Sequence, residues 1–218
     1  MISCLRLRGV SQTVAEAGGE KRTLAPLTAS LPAGMLHVIG GPAGSGKTSL
    51  LAILSLTAAA AQGDIYWGAR KLSTLDPIEA QDWRKHNIAT IGPASALVPL
   101  LTIRENIKLA AAVQGRADAA RRGEAMIAAL DLGSGLDRLP AELTESDIRQ
   151  IAVVLALCRE PAIVLADEPT AALGDAAATA IARLLRTYAH DRHAVVICVS
   201  EDLPMLAMAD NVLRLQPP

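Results

Sequence analysis

Two short stretches of the 218-residue chain carry residue types whose spacing points to chemistry. Gly40 to Leu51 reads GGPAGSGKTSLL and holds the pattern G-x-x-x-x-G-K-[ST] as Gly41, Pro42, Ala43, Gly44, Ser45, Gly46, Lys47 and Thr48, with Ser49 next. Glycines let backbone N–H groups crowd around phosphate oxygens, the start of a following helix adds positive potential, and a lysine at position 47 reaches the terminal phosphates of a nucleotide. A hydroxyl at Thr48 is suited to Mg2+. The second stretch, AIVLADEPT, ends an apolar run on Asp167 and Glu168. Asp167 would hold a magnesium-bound water, and Glu168 would polarise an attacking one.

Both stretches need strands and helices to aim them. CLRLRGV alternates as a half-buried strand, MLHVIGG is a short apolar run ending in glycines, and SLLAILSLTAA has the length and apolar density of a buried helix. GDIYWGARKLS predicts a hairpin. From Thr102 to Gln150 the pattern is mainly helical, with TIRE as a capping box and AARRGEAMIAALDLG as an amphipathic helix stopped by its glycine. AIVLAD, AVVICVS and NVLRL predict strands, with AAATAIARLLRTYA a helix between the first two. Strand, helix, strand in that order implies an α/β fold with a mainly parallel sheet.

Composition narrows the partners. Formal net charge is −1, with acids and bases interspersed, so the chain offers no basic stripe for a phosphate backbone and no nucleic acid is expected. No apolar run is long enough to span a bilayer and the N-terminus lacks the core of a secretion signal, so a cytoplasmic location is expected, with any membrane role arising through a partner. Cys4, Cys158 and Cys198 match no metal or redox spacing and read as buried free thiols.

The motifs LPAGMLHVIGGPAGSGKTSLLAIL, GDIYWGARKLSTL, LVPLLTIRENI and AIVLADEPTAAL together resemble the ATP-binding domain of ABC transporters over nearly the whole chain. The branch most similar serves lipoprotein release and macrolide-type efflux. The resemblance implies a P-loop NTPase core, residues 1–92 and 151–218, that includes a small N-terminal antiparallel β-subdomain. Residues 93–150 would form an inserted helical subdomain. It implies ATP and Mg2+ as cofactors, a second ATP-binding domain, identical or different, and an integral membrane permease that places the chain peripherally on the inner face of the cell membrane. Lys47 and Glu168 would be catalytic, positions 41–49 would hold nucleotide, and Thr48 and Asp167 would hold the metal.

Several positions depart from that family's pattern. The signature L-S-G-G-Q, which grips the partner subunit's nucleotide, becomes Leu143, Thr144, Glu145, Ser146, Asp147. Two acids there oppose a polyanion, whereas Thr144 as N-cap with Asp147 three residues on is a local helix start. The adenine-stacking aromatic maps to Val14, the metal-linking glutamine to Pro93, the phosphate-contacting histidine to Glu201, and the aspartate after TAAL to Gly174, with Asp175 one place late. His190 and His193 precede the strand AVVICVS, at its wrong end, and read as surface residues. Residues that bind Mg-ATP within one subunit persist, and those that couple two subunits are altered. Slow hydrolysis is therefore expected. A non-hydrolytic regulatory subunit is the alternative, and a small-molecule kinase, with AARRGEA as its only candidate lid, is a more distant one.

Overall fold

The computed structural model describes residues 4–16, 19–92, 97–112 and 118–218. Two sheets and seven α-helices organise them. β3 (Met35–Gly40), β6 (Ile88–Ile91), β7 (Ile163–Asp167), β8 (Val195–Val199) and β9 (Asn211–Arg214) form a sheet in the order β6-β7-β8-β3-β9, and every neighbouring pair in it is parallel. β1 (Cys4–Glu16), β2 (Gly19–Pro32), β4 (Gln62–Trp67) and β5 (Arg70–Lys71) form an antiparallel sheet in the order β2-β1-β4-β5. This is the α/β fold expected, parallel core and antiparallel N-terminal sheet included.

The apolar runs of β3, β7 and β8 have no polar alternation because both faces of the parallel sheet are covered. Successive side chains go to opposite cores. Leu36, Val38, Val164, Ala166, Val196 and Cys198 pack with α3 (Ile103–Ala112), α4 (Ala119–Ala129), α5 (Glu145–Cys158) and α6 (Asp175–Arg192). Ile39, Ile163, Leu165, Val195, Ile197 and Val199 face α1 (Lys47–Leu54), the antiparallel sheet and Trp83 of α2 (Pro77–Asn87). The parallel sheet is thus the middle of three layers, and its C-terminal edge presents the loops after β3, β7 and β8 together.

Four local expectations are corrected. The helix predicted through SLLAILSLTAA ends at Leu54, because Leu56 takes a left-handed φ of 57° and Ser55 and Thr57 hydroxyls bond the Ala52 carbonyl at 3.0 Å. The helix predicted to stop at Gly133 stops earlier. Asp131 adopts φ 60° and the Leu132 N–H reaches the Ile127 carbonyl at 3.1 Å, a Schellman-type end in which an aspartate does what a glycine usually does. The first strand runs well beyond CLRLRGV, to Glu16, and pairs through bulges with a long β2 that the alternation did not reveal. Cys158 and Cys198 are buried, but Cys4 is only half-buried and lies against Ser30 Oγ at 3.1 Å. Burial pushes the Cys158 thiol up to about 11 and raises Cys198 as well, so both stay protonated.

The helical segment is tied to the core rather than appended to it. α5 runs unbroken through position 150, and Glu160, just beyond it, ion-pairs with Arg122 of α4 and, at 2.5 Å, with Arg192 at the end of α6. The Thr102 and Glu105 side chains cap α3 reciprocally, as TIRE predicts. Among the described residues no helix is long and apolar enough to cross a membrane.

Candidate functional site

The loop from Gly41 to Gly46 connects the buried end of β3 to the first turn of α1, and the sequence permits its path at few other compositions. Gly41, Gly44 and Gly46 have φ of 151°, 80° and 94°. A Cβ on Gly46 would stand 2.4 Å from the Thr23 carbonyl oxygen, and one on Gly41 would stand 2.7 Å from Ser45 Oγ. The loop is therefore pressed between β2, Leu215 and its own turn, which only a bare backbone allows.

This loop ends in a helix start that lacks its usual partners. α1 has Gly46 at its N-cap, no side-chain cap and no acidic residue in its first turn. Ser45 is 1% exposed, and its buried Oγ has no hydrogen-bond partner among the described residues. Orphan helix amides and an orphan buried hydroxyl together are what an anion in the loop would satisfy. The Lys47 ammonium donates to the carbonyls of Gly41 and Pro42, the latter at 3.1 Å, folding back over the loop. Pro42, Ala43 and Gly44 are exposed along its outer rim. Ser49 is directed elsewhere: its hydroxyl donates to Thr23 Oγ1 at 3.3 Å.

Thr48, on α1, and Asp167, at the end of β7, line one cavity of about 230 Å³ together with Ser55, Thr90 and Gly92. They come from positions far apart in the chain and meet because β7 and β3 flank β8 in register, ending at the same edge. Among the described residues no group of three or more His, Cys, Asp or Glu is placed to hold a metal. One hydroxyl and one carboxylate are nonetheless the protein share that Mg2+ ordinarily takes when phosphates and waters complete its shell. When bound, such an ion neutralises charge on the phosphate oxygens.

Glu168 follows in the left-handed conformation, φ 46°, pinned by its N–H to the Val199 carbonyl at 2.9 Å. Burial raises its pKa above the ordinary carboxyl value; a Ser200 hydrogen bond opposes this, nearby Asp202 and Asp167 add to it, and Lys47 opposes it more weakly. A carboxylate held less acidic, beside an ammonium and at the sheet edge, is suited to accept a proton from water. Asp202 is itself engaged by Thr170, whose hydroxyl donates at 2.5 Å.

The residues suspected of departing from the pattern occupy defined places. Thr144 caps α5: its Oγ1 accepts the Asp147 N–H at 3.1 Å and Asp147 accepts the Thr144 N–H at 3.3 Å, the local reading expected for both. Glu145 bonds Arg149 at 3.3 Å on the helix surface. Val14 is 47% exposed on β1. Gly174 caps α6 without a side chain, and Asp175 falls in the first turn. Pro93 lies outside the described residues. His190 pairs with Asp210 at 2.9 Å and His193 is the left-handed C-cap of α6, both at the edge opposite the loop. Glu201 Oε1 accepts the Gly41 N–H at 2.6 Å. Sequence reasoning missed Arg214, which lines the cavity over the loop with Lys47 and Glu201. Its only signal is the parallel pairing of Gly40 with Arg214, which no local pattern announces.

Residues 24–171 match the family model described as ABC transporter. HrtA of Staphylococcus haemolyticus, named for hemin import as an ATP-binding protein, is 28% identical over 214 residues, which cover 97% of this chain and 96% of that protein. The uncharacterized ABC transporter ATP-binding protein Rv0073 of Mycobacterium tuberculosis is 33% identical over 198 residues, 90% of this chain but 60% of that protein's length. MacB of Pasteurella multocida, a macrolide export ATP-binding/permease protein, is 26% identical, and the chain spans 33% of it. The dimeric structure of MJ0796, a bacterial ABC transporter cassette, superposes with a TM-score of 0.84 at 25% identity, covering 98% of this chain and 94% of that one. The same cassette is also known in a post-hydrolysis dimer bound to ADP and Pi. By the match across residues 24–171, this chain belongs to the ABC transporter family, as an ATP-binding cassette.

Proposed function

We propose that the chain is the ATP-binding subunit of an ABC-type transporter, that it binds Mg-ATP through residues 41–49, and that it couples nucleotide to an integral membrane permease. Its place would be peripheral, on the inner face of the cell membrane, paired with a second ATP-binding domain of the same or a different sequence. Thr48 and Asp167 would hold Mg2+, Lys47 would hold the terminal phosphates, and Glu168 would accept the proton of the attacking water. The observation that supports this most is the shared cavity of Thr48 and Asp167 beside a helix start with no acid and no cap.

Hydrolysis would be slow. Removing one acid–base or charge-stabilising group typically costs about 10²- to 10⁴-fold in rate, and Glu201 and the Thr144–Asp147 turn lack the groups the family uses to grip the terminal phosphate. Titration of Mg-ATP together with steady-state phosphate release tests the reading. Saturable binding with release abolished by Glu168→Gln supports it; absence of binding sinks it.

A non-hydrolytic regulatory subunit is the second reading, favoured by one observation: Thr144 and Asp147 spend their polar groups on each other at the α5 N-terminus. Binding without turnover, in the presence of the permease and partner subunit, would decide for it.

A further inference from the structure

Ser200 crosses over the end of β3, its N–H donating to the Ile39 carbonyl at 3.3 Å, and so delivers Glu201 onto the first residue of the phosphate loop. There the Gly41 N–H donates to Glu201 Oε1 at 2.6 Å, and a Cβ on Gly40 would stand 2.8 Å from the same oxygen. Glu201, Lys47 and Arg214 line one cavity of about 600 Å³ with Gly41, Pro42 and Ala43. The carboxylate therefore occupies a loop amide and shares the field of the one ammonium that would reach a terminal phosphate.

Arg214 offsets this charge only in part. Its Nη1 lies 3.5 Å from Glu201 Oε2, and both side chains are about half exposed, so water screens the pair. The Gly41 hydrogen bond is shorter, and together with the nearby cations it keeps the Glu201 carboxyl below its usual range, hence ionised at neutral pH.

We propose that Glu201 makes the loop selective for a nucleoside diphosphate over a triphosphate. A β-phosphate can lie against the bare α1 amides, whereas a further phosphoryl group drawn to Lys47 meets a fixed carboxylate. The inference rests on the loop being the nucleotide site. One unfavourable charge contact at the protein surface corresponds to about 10- to 100-fold in affinity.

The test is calorimetric titration of the full chain, wild type and Glu201→Gln, with Mg-ADP and with a magnesium complex of a non-hydrolysable ATP analogue. Wild type should bind the diphosphate about 10- to 100-fold more tightly. Glu201→Gln should bring the two within about threefold, by a gain on the triphosphate side, since the amide keeps the shape and drops the charge. Glu201→Ser makes the same comparison should the glutamine variant misfold. Equal affinities in wild type, or a preference unchanged in the variants, overturn the inference and leave the nucleotide site standing. Failure of wild type and variants to bind either nucleotide overturns the site itself, and the inference with it.

Discussion

Thr144 and Asp147 close the first turn of α5 on each other, each side chain taking the other's backbone N–H, at 3.1 and 3.3 Å. α1 has the opposite constitution, with no cap and no acid in its first turn. Two helices in one cassette thus start in contrasting ways: one carries its own negative charge and the other leaves its amides open to an external anion.

Thr144→Ala should accordingly act on folding. Losing a capping hydroxyl costs about 1 kcal/mol, readable as a lower denaturant midpoint at constant slope. Nucleotide affinity of the isolated chain should stay within about twofold of wild type, because α5 contributes no group to the Gly41–Gly46 loop. A loss of affinity much larger than that would show that α5 takes part in the chain's own phosphate site.

Lys47→Ala should weaken Mg-nucleotide binding by about 10- to 100-fold, the worth of one charge-assisted hydrogen bond. Thermal stability without nucleotide should change little, since the ammonium bonds only to carbonyls of its own loop. Equilibrium titration and thermal unfolding of the same preparation separate the two effects.

Glu168→Gln should preserve nucleotide binding and lower phosphate release by about 10²- to 10⁴-fold. It also carries a signature in stability. Because burial raises the pKa of Glu168, the folded chain holds this proton more tightly than the unfolded one. The group's contribution to stability is complete below the unfolded pKa and is lost as pH rises through the folded value. Glu168→Gln should therefore unfold at a higher temperature than wild type near neutral pH, and the difference should vanish as pH falls toward about 4. A variant no more stable than wild type at neutral pH would contradict the desolvated position of this carboxylate.

Gly123→Ala should destabilise the helical segment. An added Cβ would stand 2.5 Å from Cys158 Sγ and 2.6 Å from the Ile107 side chain, where α3, α4 and α5 meet. Overpacking of this kind costs about 1 to 3 kcal/mol. Gly133→Ala, with nothing within 4 Å of its Cβ, is the matched control and should be nearly neutral. Equal losses at both positions would remove packing as the cause.

Much of this was legible along the chain. The phosphate loop declared itself because glycine spacing, a lysine and a hydroxyl are fixed by local backbone geometry, and the strands β3, β7 and β8 because continuous apolar runs follow from burial on both faces. Thr144 and Asp147 were equally readable, since a capping box spans only four residues. Helix ends were less so: Leu54 and Ala129 end their helices because Leu56 and Asp131 accept left-handed backbone, which a leucine does not advertise and an aspartate advertises less than a glycine. The joining of Thr48 to Asp167, and of Glu201 and Arg214 to Gly41, was beyond any local pattern. Those contacts exist because strand order β6-β7-β8-β3-β9 brings the ends of four separate strands to one edge, and strand order is a property of the packed sheet, not of any segment within it.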